Sequence, residues 1–421
     1  MSNDTQPEIR FPGFTDDWEQ RKFGVTNSYF TDGNYGESYP SADELSDKLN
    51  GVPFLRGSNL KNGRLVEEDA NYITPEKHAE LTSGHLELDD IVVAVRGSLG
   101  ALGYAGQENV GWNINSQLAI IRTDKSELKG QFLIQYLLSS KGQKELLSRN
   151  TGTALKQLPI KQLKDVPVPI PGIDEQDRIG SFFVNLDTTI TLHQRKLDLL
   201  KETKKGFLQK MFPKNGAKVP EIRFPGFTED WEQRKLGDVT AEVFQGINTA
   251  GDKVEYSDTG TPILQAKHIT GGDVTFDEAR FLDKERYSNY FPKYVPVEND
   301  ILFANIGTIG PSTVVRDESE FLVAWNILKI TLKKPEIAEF IQLQLDQLNQ
   351  KHYFDSVLTG NATKFVNKDE MLRTPISVPT IEEQKKVGVF FSNIQRAITL
   401  HQRKLDLLKE TKKGFLQKMF V

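Results

Sequence analysis

Cysteine is absent from all 421 residues. That excludes disulfides, thiolate metal sites and cysteine nucleophiles. His78, His85, His193, His268, His352 and His401 show neither HExxH nor HxH spacing, so no metal site is expected. No apolar run approaches the roughly 18–20 residues that a bilayer span needs, and none is expected to cross a membrane. Met1 to Pro12 lacks a basic segment followed by an apolar one, so export is not expected and the cytoplasm is the default. The chain has no GxxxxGK[ST] phosphate loop and no GxSxG elbow. It also lacks an Asn-Pro-Pro-aromatic run of the kind that grips an extruded base. No ATPase, hydrolase or methyltransferase centre is therefore expected, and no cofactor in this chain. Positive charge is in slight deficit, with a net charge of −5. This argues mildly against a nucleic-acid binder, although local clustering of Lys and Arg matters more than the total.

An internal duplication is present. PEIRFPGFTDDWEQRK (Pro7–Lys22) returns as PEIRFPGFTEDWEQRK (Pro220–Lys235), with only Asp16 changed, to Glu229. TLHQRKLDLLKETKKGFLQKMF (Thr191–Phe212) returns unaltered at Thr399–Phe420. Upstream of it, both copies keep Glu-Gln (Glu175, Gln176; Glu383, Gln384) and Phe-Phe (Phe182, Phe183; Phe390, Phe391). Between these anchors the halves diverge but stay alignable. VPFLRGSNL from Val52 faces TPILQAKHI from Thr261, and DDIVVAVRGSLG from Asp89 faces NDILFANIGTIG from Asn299. Trp112-Asn113 is matched to Trp325-Asn326, TGTALK from Thr151 to TGNATK from Thr359, and VPVPIP from Val166 to TPISVP from Thr374. The chain is thus one module written twice. If both copies fold alike, Pro7–Lys22 docks near the end of the second helix, closing a pseudo-two-fold ring.

The expected segments are an anchor at 1–22, a variable domain at 23–172, a scaffold helix at 173–212, a linker with the second anchor at 213–235, a variable domain at 236–380 and a second scaffold helix at 381–421. The helices are marked by apolar residues stepping by 3 and 4. The seam reads Ile190, His193, Leu197, Leu200, Lys204, Phe207 and Met211, and in the second copy Ile398, His401, Leu405, Leu408, Lys412, Phe415 and Met419. From Asp174, a plausible N-cap, to Phe212 the first helix would run roughly 60 Å at about 1.5 Å per residue. The simplest partner for each helix is the other, antiparallel, as a coiled coil. Polar residues in such a seam set register at some cost in stability.

The variable domains read as mixed α/β, leaning to β. Asp90–Val95, Asp300–Ala304, Leu118–Ile121 and Leu328–Leu332 read as strands, and Gln131–Leu138 and Ile337–Leu348 as short helices.

Catalytic patterns do not survive inspection. Asp198, Glu202 and Lys204 imitate a nuclease D…ExK but lie on the scaffold helix, where a solvated face is the plainer reading. Candidate DNA contacts are local. In the first domain they are Arg56, Ser58, Asn59, Lys61 and Arg64 of a polar loop, with Arg96, Ser98 and Lys156. In the second they are Gln265, Lys267 and His268, with Asn305, Thr308 and Lys364. Arg and Lys pair with guanine edges and Asn or Gln with adenine edges, while Ser, Thr and backbone amides hold phosphates. A surface turn is the competing reading for each loop. The Lys-rich helix ends, Lys196 to Lys210 and Lys404 to Lys418, admit both a DNA-facing and an ordinary solvated reading.

Near-identical scaffolds flanking two divergent domains suit a fixed spacer holding two different readers, and duplex DNA read at two half-sites is a natural ligand. The rivals are a protein-binding scaffold and an enzyme with a cleft between domains. The second needs a convergent acid/base or metal constellation that the halves do not share.

In this order, twice, these motifs resemble those of specificity subunits of type I restriction–modification enzymes. The residues carrying the likeness are VPVPIPGIDEQ (Val166–Gln176) and TPISVPTIEEQ (Thr374–Gln384), VVAVRGSLG and LFANIGTIG, and the domain starts at Trp18–Gly24 and Trp231–Gly237. The resemblance implies that each variable domain is a target recognition domain for one half of a bipartite double-stranded DNA site. The coiled coil would set the gap. Two modification subunits carrying S-adenosylmethionine would dock on the scaffold, and restriction subunits would add ATP- and Mg-dependent translocation and cleavage. The exposed scaffold and the anchors with Trp18 and Trp231 are candidates for partner contact, with core filling as the other reading of the tryptophans.

Overall fold

The computed structural model describes residues 6–152, 156–214, 216–270, 272–316 and 319–421. Residues 153–155 of the TGTALK motif lie outside that set. The chain divides into two compact units, Met1–Gln194 with Arg403–Val421, and Arg195–Gln402. Each unit contains one variable region and a part of each long helix, Ile173–Lys210 and Ile381–Lys418.

In the first unit the central sheet has the strand order Tyr29–Asp32, Leu118–Arg122, Ile91–Ala94, Leu102–Tyr104, Gly63–Leu65, Leu60–Lys61. In the second unit the order is Thr240–Gln245, Ile327–Leu332, Ile301–Ala304, Ser312–Val314. The central strands are buried on both faces, which is why they read as unbroken apolar runs rather than alternating ones. A small second sheet in each unit pairs Val52–Leu55 or Thr261–Leu264 with its neighbours.

Strand register corrects one alignment made from the sequence. Leu118 faces Ala94, and Ile327 faces Ala304. The residue before Leu118 is Gln117 and the one before Ile327 is Asn326, so Trp325-Asn326 corresponds to Ser116-Gln117 and not to Trp112-Asn113. The side chains agree: the Gly57 amide donates to Gln117 Oε1 at 3.4 Å, and the Ala266 amide to Asn326 Oδ1 at 3.3 Å.

Each anchor strand, Glu19–Lys22 or Glu232–Lys235, pairs antiparallel with a Pro-rich strand, Pro167–Ile170 or Pro375–Val378. A two-stranded ribbon leaves an outer edge where proline's missing N–H costs nothing. The anchor then meets a helix end. In the first unit the Ile9 amide donates to the Lys418 carbonyl at 3.0 Å, and in the second Ile222 donates to Lys210 at 2.9 Å. The docking expected for Pro7–Lys22 is therefore present, and an unpaired helix-terminal carbonyl is satisfied on each occasion.

The Glu-Gln motif has a separate task for each residue. Glu175 is almost fully buried and receives both Arg10 Nε and a second guanidinium nitrogen, at 2.6 and 2.8 Å; Glu383 receives Arg223 at 2.7 and 2.7 Å. Gln176 donates to the Pro171 and Glu127 carbonyls and accepts from the Lys129 amide. Gln384 donates to the Pro379 carbonyl and, in place of a second carbonyl, to the Glu336 carboxylate, and accepts from the Ile337 amide. Trp18 and Trp231 are each only 2 % exposed. Trp18 packs edge-on against Phe132, which meets Phe420; Trp231 packs on Phe340 and Phe212. They fill cores, which removes both indoles as partner contacts: a ring that is 2 % exposed has no free face.

The long helices run antiparallel within each unit. Phe182 meets Phe415, and Asp187 meets Lys412, in the first; Lys204 meets Gln395, and Phe207 meets Phe390, in the second. All fourteen residues assigned to the seam are buried or half-buried, with Leu197 and Leu405 each 1 % exposed. Leu192, Leu199, Leu400 and Leu407 lie off the seam and are largely exposed. The first helix starts at Ile173, so Asp174 sits inside the first turn. There its carboxylate faces the positive end of the helix dipole rather than capping it.

Candidate nucleic-acid interface

Three loops converge at one rim of the first unit's sheet. Strand Ile91–Ala94 runs into Arg96-Gly97-Ser98, where Gly97 (φ 74°) makes the turn. Arg96 forms a bridge to Gln157, donating Nε to its Oε1 at 3.2 Å, and donates Nη1 to the Ser116 carbonyl at 2.8 Å. Its guanidinium lies 5.7 Å from the centre of the exposed Tyr35 ring. The loop after Val52–Leu55 approaches from the other side, since a Cβ on Gly57 would sit 3.4 Å from Ser98 Oγ. Arg96, Ser98, Ser58 and Lys156 are thus exposed on neighbouring loops. Arg56 is more enclosed; it donates to the Asp69 carbonyl at 3.0 Å, and its Nε is buried without a partner. Lys61 pairs with Glu68 at 2.8 Å, and Arg64 donates to the Asp187 carbonyl of the long helix at 3.0 Å, so these two are set apart on the next hairpin.

The second unit repeats the backbone with other side chains. Ile306 bridges Phe365 where Arg96 bridges Gln157, and Thr359 bridges Phe365 where Thr151 bridges Gln157. Thr308 and Lys364 are exposed on this rim, and Trp325 is 38 % exposed beside it. Gln265 is half-buried, while Lys267 is exposed and pairs with Glu278 at 2.9 Å.

Three candidates belong to the interior. Asn59 is fully buried: its Oδ1 accepts from the Arg56 amide, and its amide group donates to the Val66 and Glu68 carbonyls. His268, at the matching position, accepts from the Gln265 amide on Nδ1 at 2.8 Å, which leaves Nε2–H to bond the Asp277 carbonyl at 3.1 Å. Burial pushes its pKa below the usual histidine value. Asn305, also fully buried, donates to Val366 and exchanges bonds with Gln245. Their polar atoms hold the loops in shape and do not face outward, as expected of buried polar groups. Short polar residues in a loop-like stretch carry no sign in sequence of which way they point.

Sequence reading missed the residue ending the first strand of each domain, Asp32 or Gln245. Each precedes a glycine at which a Cβ would fall 1.9 Å from the Asn115 carbonyl or 2.1 Å from that of Ala324, so only Gly fits. Asp32 accepts from the Tyr35 hydroxyl at 3.3 Å, while its Oδ1 is buried without a partner; burial raises its pKa. It lines a depression of about 390 Å³ with Asn34, Tyr35 and Ser83. Gln245 is spent on the Trp325 carbonyl and Asn305. The paired Asp-Gly and Gln-Gly after the first strand were the available signal.

Two domains of one backbone design, each with a rim of exposed polar loops and each mounted on the same helical scaffold, define a duplicated recognition protein. A family model described as the type I restriction modification DNA specificity domain matches residues 35–202 and again 228–410. The chain belongs to that family and is a DNA-recognition subunit of a type I restriction–modification system, not one of its enzymes. Among relatives, the type I restriction enzyme MjaVIII specificity subunit of Methanocaldococcus jannaschii is 22% identical over 415 residues, covering 95% of this chain and 91% of its own. The EcoBI specificity subunit of Escherichia coli is 20% identical, covering 82% and 73%. The solved structure of a type I S subunit from M. genitalium superposes with a TM-score of 0.69 at 14% identity, covering 99% of both chains. Among the described residues no helix is long and apolar enough to cross a membrane.

Proposed function

We propose that each variable domain reads one half of a bipartite duplex target and that the long helices set the unspecified gap. The observation carrying this is the pair of rims: the same bridge positions hold Arg96 and Gln157 in one unit and Ile306 and Phe365 in the other. A shared arrangement of rim bridges with unlike side chains gives two readers for two sequences. Arg96, Ser98, Lys156, Ser58 and Asp32 face the first half-site, and Thr308, Lys364, Lys267 and Gln265 the second. The segments 23–172 and 236–380 are the recognition domains, 173–212 and 381–421 the scaffold. Two modification subunits dock on the scaffold, where Leu192, Leu199, Leu400 and Leu407 supply apolar area that no part of the seam covers. They bring S-adenosylmethionine. Restriction subunits bring ATP and Mg, and the assembly works in the cytoplasm. Single-molecule methylome sequencing of cells expressing the chain with a cognate modification subunit tests this. Methyl-adenine in one new bipartite motif with a fixed gap is expected; no new motif from a stable purified complex would overturn the reading in favour of a protein scaffold.

A further inference from the structure

The second unit contains a cleft of about 650 Å³ where the end of the first long helix meets helix Ala338–Gln350 and the middle of the second long helix. Five lysines line it, Lys201, Lys204, Lys205, Lys214 and Lys351, with four glutamines and no carboxylate. Neutralisation is slight. Lys204 bonds the Gln395 amide oxygen at 3.0 Å and lies 3.9 Å from Asp346, whose pKa burial raises. Lys214 stands 3.6 Å from Glu221. Among the described residues Lys201, Lys205 and Lys351 have no ion pair. Burial, and then the charge of Lys214, hold the Lys351 ammonium below the usual lysine range, so a cation there lacks a counter-charge.

The same helix sequence in the first unit is handled differently. Lys412, the repeat of Lys204, is clasped by both oxygens of Asp187 at 2.7 and 2.8 Å, where the second unit has the amide of Gln395, with the Asp346 carboxylate no nearer than 3.9 Å. Gln143, which meets Gly100 as Asn349 meets Gly310, turns its amide inward to the Gly100 and Leu137 carbonyls.

We propose that this cleft binds phosphates of the DNA backbone next to the second domain's reading loop. Gln395 connects the two, since a Cβ on Gly272, at the end of the loop starting at Gln265, would lie 3.0 Å from its amide nitrogen. The lining chemistry fits a phosphodiester: lysines act as point charges, glutamine amides donate to phosphate oxygens, and the arginine forks suited to planar carboxylates are missing from it. Contact with the duplex is therefore asymmetric, with the stronger electrostatic grip on the second half-site.

The inference rests on the DNA-reading function, and one experiment separates them. The full chain, co-purified with its modification subunits, is titrated onto a duplex carrying its methylated motif at several salt concentrations. K214Q/K351Q should reduce the slope of log affinity against log salt by about 1–2, as loss of one or two phosphate contacts requires, without changing the preferred motif. K214R/K351R should restore it. K409Q/K413Q, the first-unit control, should leave the slope alone. An unchanged slope in K214Q/K351Q, or equal losses in both lysine pairs, would overturn the cleft. So would an intact slope with loss of modification subunits on size exclusion, which would assign the cleft to an acidic protein segment. Absence of motif-preferring binding by the wild-type complex would overturn the functional reading itself.

Discussion

The two units solve one loop-closing problem with different chemistry. After the second-sheet strand the chain must turn back, and a buried side chain four residues past Leu55 or Leu264 holds the turn by accepting from the backbone amide three residues earlier. In the first unit it is Asn59, which does not titrate; in the second it is His268, which must be neutral to accept on Nδ1. The same position in a duplicated fold is thus free to differ so long as one acceptor and one donor lie in reach. The clasp between anchor and helix is not free in this way: Arg10–Glu175 and Arg223–Glu383 are the same pair with nearly the same distances. Loop chemistry diverged, whereas the clasp did not, because removing either partner leaves a buried charge.

The largest expected effect is therefore common to both units. Arg10→Ala and Arg223→Ala should each destabilise their unit by about 3–5 kcal/mol, the cost of stranding a buried carboxylate. Urea unfolding of the complex measures it, and a loss under 1 kcal/mol in either would show that water reaches that glutamate.

The next divides the rims. Arg96→Ala should weaken binding to one half-site by about 1–3 kcal/mol if the guanidinium reads a base. Thr308→Ala should affect the other half-site only. Affinities for duplexes with one half scrambled would reveal this, and equal loss at both halves would refute independent reading.

The tryptophans sharpen the comparison further. Trp18 donates to Glu175 at 3.0 Å, while the Trp231 indole N–H is buried without a partner. Trp18→Phe should cost about 1.5–3 kcal/mol for the lost bond to a charged group. Trp231→Phe should cost less, and thermal melts showing the reverse order would contradict the difference.

The smallest effect is in pH. His268 has its folded pKa below the unfolded value of about 6.5. The unfolded chain binds the proton more readily, so the stability of this lock is full above about pH 6.5 and is lost as pH falls through the folded value. His85 in the first unit is lowered by burial as well, so the informative comparison is His268→Asn against wild type. The variant should lose less stability between pH 7.5 and 5, and parallel curves would show that His268 does not titrate with folding.

The duplication, the helical seam, the central strands and the docking of Pro7–Lys22 were legible in the chain. They depend on periodicity and on exact repetition, both of which are local or self-referential. The paired role of Glu175 and Gln176 was visible only as a motif, because its partners lie far along the chain, at Arg10 and Lys129. The match of Trp112 to Trp325 failed because identical letters outweighed strand register: it shifts the halves by four residues from the offset that Leu118 and Ile327 share. Asn59, His268 and Asn305 were placed with the DNA contacts because a polar side chain in a loop looks alike in sequence whether it points out or in. What sequence determined is the architecture, through repeated apolar spacing that leaves few ways to bury itself. What tertiary structure alone decided is which polar groups are left over: the same lysine is neutralised by Asp187 in one unit and left near Gln395 in the other, because its neighbours come from the parts that differ.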